Sequence, residues 1–332
     1  MDIYSAIIHS TRYARYLEDH KRRETWDETI SRVIGFLNKQ IQEKYPQAMD
    51  KWSSYKDSIY EAIKQMKIMP SMRLMMTAGP AAERDNIGIY NCAYLAINTK
   101  RAFSEALYVL MNGTGVGFSC ERQEIAHLPA FPNSFREVED TIVVADSKKG
   151  WAKAFNKLLN SLWEGDIPKI DYSKIRPAGS RLKTFGGRAS GPDPLKDLFN
   201  YSIQTAKHAS GRKLTSIEVH DLMCKIADVV VVGGVRRSAL ISLSNLSDLR
   251  MRDAKEGAWW VDHPERALAN NSAVYTDKPD METFMNEWIA LVKSKSGERG
   301  IFSREAAQKQ AAKWGRRNAN ISYGCNPLTL AA

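Results

Sequence analysis

The sequence predicts an α/β protein that begins with a helical region. Three observations carry this. Residues 1–68 hold apolar stripes at helical spacing, with charged residues filling the gaps. Beyond them, short β-branched or aromatic runs alternate with helical stretches, the pattern of a sheet with much parallel pairing. Residues 215–243 (TSIEVHDLMCKIADVVVVGGVRRSALISL) compress that pattern into one helix, one glycine turn and one strand.

In the helical region, Ile7, Ile8, Tyr13, Tyr16 and Leu17 form one expected stripe, and Ile30, Val33, Ile34, Leu37 and Ile41 a second. Met66, Met69, Met72, Met75 and Met76 gather where the region ends, and packing filler is the expected role of such pliable side chains. Pro70 and Ser71 break the helix. Residues 90–97 predict a strand, and residues 103–111 a helix that ends in a glycine-rich loop at 112–118. The Gly-x-Gly-x-Gly of Gly113, Gly115 and Gly117 permits close backbone approach to a ligand. It is not the dinucleotide fingerprint, because it follows a helix instead of opening one after a strand.

Residues 125–175 read as loops around a helix near 150–162, anchored by Trp151 and Trp163. Residues 185–192 are a second glycine-rich segment, bearing Arg188, and 194–209 predict another helix. Thr215 and Glu218 then form a capping box, which satisfies two helix-end amides reciprocally. The run Val229 to Val232 suits a helix or a buried strand. One continuous helix is the better reading, since Gly233-Gly234 follows as its stop. Arg236 and Arg237 lie in the turn before a strand at 240–243, an arrangement suited to a phosphate-bearing ligand or to a plain solvated basic turn. Further on, 268–275 read as a loop-to-strand junction, 281–292 as a helix, and 300–302 as a strand before a polar helix.

At 332 residues the chain has ample length for a core, and 43% hydrophobic with 26% charged content is ordinary for a globular protein. A net charge of +10 points to anionic ligands, and its scatter favours small anions over a nucleic-acid groove. No apolar run approaches the roughly 18 residues of a membrane helix, and no signal-peptide pattern opens the chain. Cys92, Cys120, Cys224 and Cys325 lie far apart without Cys-x-x-Cys, which indicates neither zinc nor a disulfide framework. A reducing cytoplasmic compartment is expected. His127, His208, His220 and His263 have no partners at metal spacing in the sequence and are assigned no role.

Several blocks are more specific. Residues 111–118 (MNGTGVGF), 175–195 (IRPAGSRLKTFGGRASGPDPL), 232–242 (VGGVRRSALIS), 269–275 (ANNSAVY), 297–302 (GERGIF) and Asn326-Pro327 occur in the order seen in ribonucleotide reductases. The chain resembles the adenosylcobalamin-dependent (class II) enzymes, particularly the monomeric type acting on ribonucleoside triphosphates, over about residues 65–327.

The resemblance implies the first part of a ten-stranded α/β barrel, with helical region 1–68, barrel region 69–327 and a non-family tail 328–332. It implies that Cys92 is the first cysteine of a redox pair, whose oxidised product is a reversible disulfide. By the same match Ser71, Asn91, Gly113, Gly115, Gly117 and Asn326 lie at the substrate. Gly233, Gly234, Val235, Arg236, Arg237, Ser238 and Ala239 match the specificity loop, which couples a bound deoxynucleoside triphosphate effector to substrate choice. Expected partners are the ribonucleotide, adenosylcobalamin, a thioredoxin-like reductant and a carboxy-terminal reductase half. Cys120 and Cys224 match no catalytic position, and Cys224 is expected in the core.

One departure matters. Where the family continues Asn-Pro with the cysteine that becomes a thiyl radical, this chain has Leu328. Three readings follow: an amino-terminal reductase part that acts with a second half, a nucleotide-binding module without chemistry, and a basic nucleic-acid-binding protein.

Overall fold

The computed structural model describes residues 2–180, 188–232, 240–295, 297–315 and 317–327. The chain divides into two compact units, 1–91 and 92–332.

In the first unit, helix α1 (Trp26–Lys44) starts at Thr25, whose side chain and that of Glu28 form a reciprocal capping box. Its stripe works as expected: Ile30, Val33 and Ile34 are buried, and helix α2 (Met49–Lys64) adds Ile63. Met75, on the short helix α3 (Met72–Thr77), packs with Val33 and Phe36. A buried pair ties these elements together. Arg32 Nε donates to Glu24 at 2.8 Å, and Arg32 Nη1 donates to the carbonyls of Met75 and Ala78, each at 3.1 Å.

Two expectations fail here. The stripe of Ile7 to Leu17 does not form: Ile7 lies exposed on the short helix Ile3–Ile8, and the exposed Tyr16 belongs with Leu17 to a strand that pairs with Arg22–Arg23 as a small antiparallel hairpin. Nor are the methionines uniformly filler. Met75 is fully buried, whereas Met66, Met69 and Met72 are exposed.

The second unit is built on a five-stranded, wholly parallel sheet. Its strands are β1 (Cys92–Ala96), β2 (Gly115–Ser119), β5 (Leu240–Asn245), β6 (Ala269–Tyr275) and β7 (Gly300–Ser303), in that spatial order. Side chains alternate across a strand. One face, through Val116, Phe118, Leu240 and Ala269, packs on helices α4 (Lys100–Met111), α5 (Lys148–Glu164), α6 (Asp193–His208) and α7 (Ser216–Val232). This is the main core. The opposite face carries Tyr94, Ile241, Leu243, Val274 and Phe302 and is covered in part by Cys325.

The capped segment forms helix α7 throughout, so Val229 to Val232 are helical. Thr215 N donates to Glu218 Oε2 at 2.8 Å, and Glu218 N donates to Thr215 Oγ1 at 3.4 Å. Helices α8 (Met281–Ser294) and α9 (Arg304–Trp314) flank β7.

Two local expectations are corrected. Residues 125–175 are not loops around a single helix: β3 (Arg136–Val143) and β4 (Asp166–Asp171) pair in parallel on either side of α5. The charged, exposed face of β3 conceals the apolar alternation that marks a strand. The glycine-rich stretch is not all loop either. Gly113 turns the chain at φ 74°, but Gly115 and Gly117 lie within the buried strand β2. Among the described residues, no helix is long and apolar enough to cross a membrane.

Candidate active site

Strand register brings the site together. Cys92 pairs with Gly115, and Tyr94 with Gly117. Because Tyr94 faces the surface opposite the helices, alternation puts Cys92, Gly115 and Gly117 on that same face. Cys92 is half-buried, while Gly115 and Gly117 are covered.

Across this face runs the main chain of Tyr323, Gly324, Cys325 and Asn326. A Cβ added to Gly117 would lie 1.8 Å from the Cys325 carbonyl oxygen and 3.0 Å from Asn326 Cα. One added to Gly324 would lie 2.0 Å from the Tyr94 ring. Each approach is closed to any residue with a side chain. Glycine at 117 therefore permits a close backbone approach, and the neighbour observed is the chain itself and not a ligand. Cys325 is buried among Ile241, Leu243 and Val274, and burial pushes its thiol up to about 11. A neutral, enclosed thiol at that position is a poor nucleophile.

The segment is tied from the tip of the sheet. Arg304 donates through Nη1 and Nη2 to both oxygens of Glu121, at 2.9 and 2.7 Å, and through Nε to the Tyr323 carbonyl at 2.8 Å. Burial opposes the Glu121 charge, but the hydrogen bonds from Arg304 and Ser119 prevail and hold its carboxyl below the usual range. Sequence inspection missed this pair.

The other expected residues belong to the first unit or lie outside the described residues. Ser71, in the first unit, is exposed and caps α3, its Oγ accepting from Leu74 N at 3.2 Å. Asn91 accepts from the buried Arg73 Nε at 3.3 Å, also within the first unit. Gly233, Gly234, Val235, Arg236, Arg237, Ser238 and Ala239, and the tail 328–332, lie outside the described residues. Cys224 is buried in the core, as expected, and Cys120 is buried there too.

A second polar cluster, which the sequence does not signal, lies behind the sheet around His220. The fully buried His220 ring meets Asp221 Oδ1 at 2.9 Å and Asn271 Oδ1 at 2.8 Å. Burial opposes its charged form, but Cys224 and Asp221 outweigh that and raise the imidazole to about 10. Arg266 grips Asp221 at 2.8 and 2.7 Å. Asp221, His263 and Glu265 also bring potential ligand atoms within 4.8 Å of one another, a grouping that linear spacing hid. Arg266 and His220 already supply cations to that carboxylate, so the arrangement is complete as an ion-pair network.

Comparison with known proteins bears on this geometry. Residues 1–80 match the model of the ribonucleotide reductase alpha domain, and residues 132–204 that of the B12-dependent ribonucleotide reductase insertion domain. Over these two segments the chain is similar to the B12-dependent ribonucleotide reductases. The insertion match contains β3, α5, β4 and most of α6.

Among relatives of that family, an adenosylcobalamin-dependent ribonucleoside-triphosphate reductase of Lacticaseibacillus paracasei is 26% identical, over 97% of this chain and 51% of its own length. A probable reductase of the same description from Dictyostelium discoideum is 28% identical, over 83% of this chain and 40% of its length. The crystal structure of a B12-dependent (class II) ribonucleotide reductase superposes with a TM-score of 0.70 at 23% identity, covering 82% of this chain and 46% of that one. That likeness establishes the fold, a helical amino-terminal region followed by the first part of an α/β barrel. The chain spans about half the length of the curated relatives it matches.

Proposed function

We propose that the chain supplies the substrate-reducing face of an adenosylcobalamin-dependent ribonucleoside-triphosphate reductase. The observation that carries this is the placement of the half-buried Cys92 thiol on the open face of the sheet, one strand from Gly117, over which Asn326 passes. A ribose held there would meet a thiol from β1 and an amide from the crossing segment. Reduction at the 2′ carbon releases the hydroxyl as water and takes two electrons from two thiols, which end as a disulfide. Cys92 is one of these thiols in our reading, and a thioredoxin-like dithiol restores it. Ser71 and Asn91 assist substrate binding, and Gly233 to Ala239 read a deoxynucleoside triphosphate effector.

Adenosylcobalamin enters this reading through the family. The buried His220 is no donor for it, since its two ring nitrogens are engaged by Asp221 and Asn271. No step is therefore routed through the cofactor. Leu328 has no thiol hydrogen to yield, so turnover requires a polypeptide that brings a cysteine to that place. The same residue favours a second reading, a nucleotide-binding module without chemistry. The cytoplasm, with its reducing thiol pool, is the compartment that suits Cys92.

The test is reconstitution. The chain is combined with a polypeptide covering the remaining half of its relatives, adenosylcobalamin, a dithiol and a ribonucleoside triphosphate, and deoxynucleotide is measured. Product that disappears with Cys92→Ser supports the reductase. Tight deoxynucleoside triphosphate binding with no product under any combination would leave only the second reading.

A further inference from the structure

We infer that Arg304, fixed by Glu121, is a positioning residue that sets the register of Tyr323 to Asn326 across the open face of the sheet. The inference concerns the folded chain itself and holds whether or not the chain takes part in nucleotide reduction. Glu121 lies just beyond β2 and Arg304 just beyond β7, strands separated in the sheet by β5 and β6. Their side chains are 1% and 7% exposed, so water competes little for either charge.

The carboxylate is held before the guanidinium meets it. Ser119 Oγ donates to Glu121 Oε2 at 2.7 Å, and Gln123 Nε2 donates to Oε1 at 2.8 Å. A carboxylate fixed in this way fixes the plane of a bidentate guanidinium. With both terminal nitrogens committed, the Nε–H has one direction left, and it points at the Tyr323 carbonyl. The following residues then fall into place in turn. Gly324 fits under the Tyr94 ring, the Cys325 side chain enters its apolar pocket, and the Cys325 carbonyl passes over Gly117. A slip of one residue would put a side chain against Tyr94. Gln308, which donates to the Ile321 carbonyl at 3.2 Å, supports the same run from farther back.

A buried ion pair adds little net stability over apolar residues of the same volume. What this pair adds is direction, through a donor that lysine lacks. Lysine can satisfy the carboxylate as a point charge but cannot also present a fixed N–H to Tyr323.

The experiment uses the full chain and the rate at which iodoacetamide modifies each cysteine, read by peptide mass spectrometry. Cys325 reports the segment, while the core residues Cys120 and Cys224 report general loosening. Arg304→Lys is expected to raise Cys325 modification about tenfold or more, the factor attached to one hydrogen bond from a charged donor. Cys120 and Cys224 should stay at their wild-type rates. Glu121→Asp, which keeps both charges but withdraws the carboxylate by one methylene, should act in the same direction and decides the matter if the lysine variant does not fold. An unchanged Cys325 rate, or three cysteines rising together, would overturn the inference.

Discussion

Replacing Gly117 with alanine is the most direct probe of the crossing segment. The new Cβ would lie 1.8 Å from the Cys325 carbonyl oxygen, 2.8 Å from the carbonyl carbon and 3.0 Å from Asn326 Cα. Ordinary contact between non-bonded heavy atoms begins near 3.5 Å, so something must retreat by about 1.7 Å. Both near atoms of Cys325 are backbone and cannot rotate away. Strand β2 is also held, being hydrogen-bonded to β1 on one side and β5 on the other.

The segment is the weaker partner in that conflict, and its displacement opens the pocket that encloses Cys325. Overpacking of this kind costs about 1–3 kcal/mol. Urea unfolding of the alanine variant should show a loss in that range, with faster alkylation of Cys325 and unchanged Cys120 and Cys224. A variant with wild-type stability and wild-type Cys325 reactivity would refute the close approach at Gly117, and with it the placement of Asn326 over β2.

Gly35 offers the opposite case: it lies inside α1, is exposed, and an added Cβ would meet nothing within 4 Å. Gly35→Ala should raise the unfolding free energy by about 0.8–1 kcal/mol, and a loss of stability in urea titration would contradict that geometry. For the buried imidazole the sign follows from its raised pKa. A folded-state value of about 10 against 6.5 unfolded means that His220 contributes its full stabilisation below pH 6.5 and loses it as pH rises through about 10. The stability gap between wild type and His220→Gln should therefore narrow from pH 6.5 towards pH 10, and a gap independent of pH would show that the ring is neutral in the folded chain.

Local features were legible in the sequence because their causes lie within a few residues. The box of Thr215 and Glu218 marks the start of α7 through hydrogen bonds three residues apart. The stripe of Ile30, Val33 and Ile34 marks the buried side of α1 by period alone. The strands of the main sheet are rich in β-branched or small residues and sit between recognisable helices. The order of the motif blocks carried the resemblance to ribonucleotide reductases.

Tertiary structure decided what depends on register between distant strands. Periodicity alone gave Gly115 and Gly117 no strand, because glycine has no side chain to alternate; their pairing with Cys92 and Tyr94 makes them one. Strand β3 exposes charged residues to solvent, and β4 carries a proline and only six residues, so little local sets them apart from loop. The Glu121–Arg304 pair joins residues 183 positions apart, and two common residue types at that distance leave no signal in a single sequence. His220 likewise becomes a charged node only when folding carries Asp221, Asn271 and Arg266 to it and removes the water that would otherwise screen them.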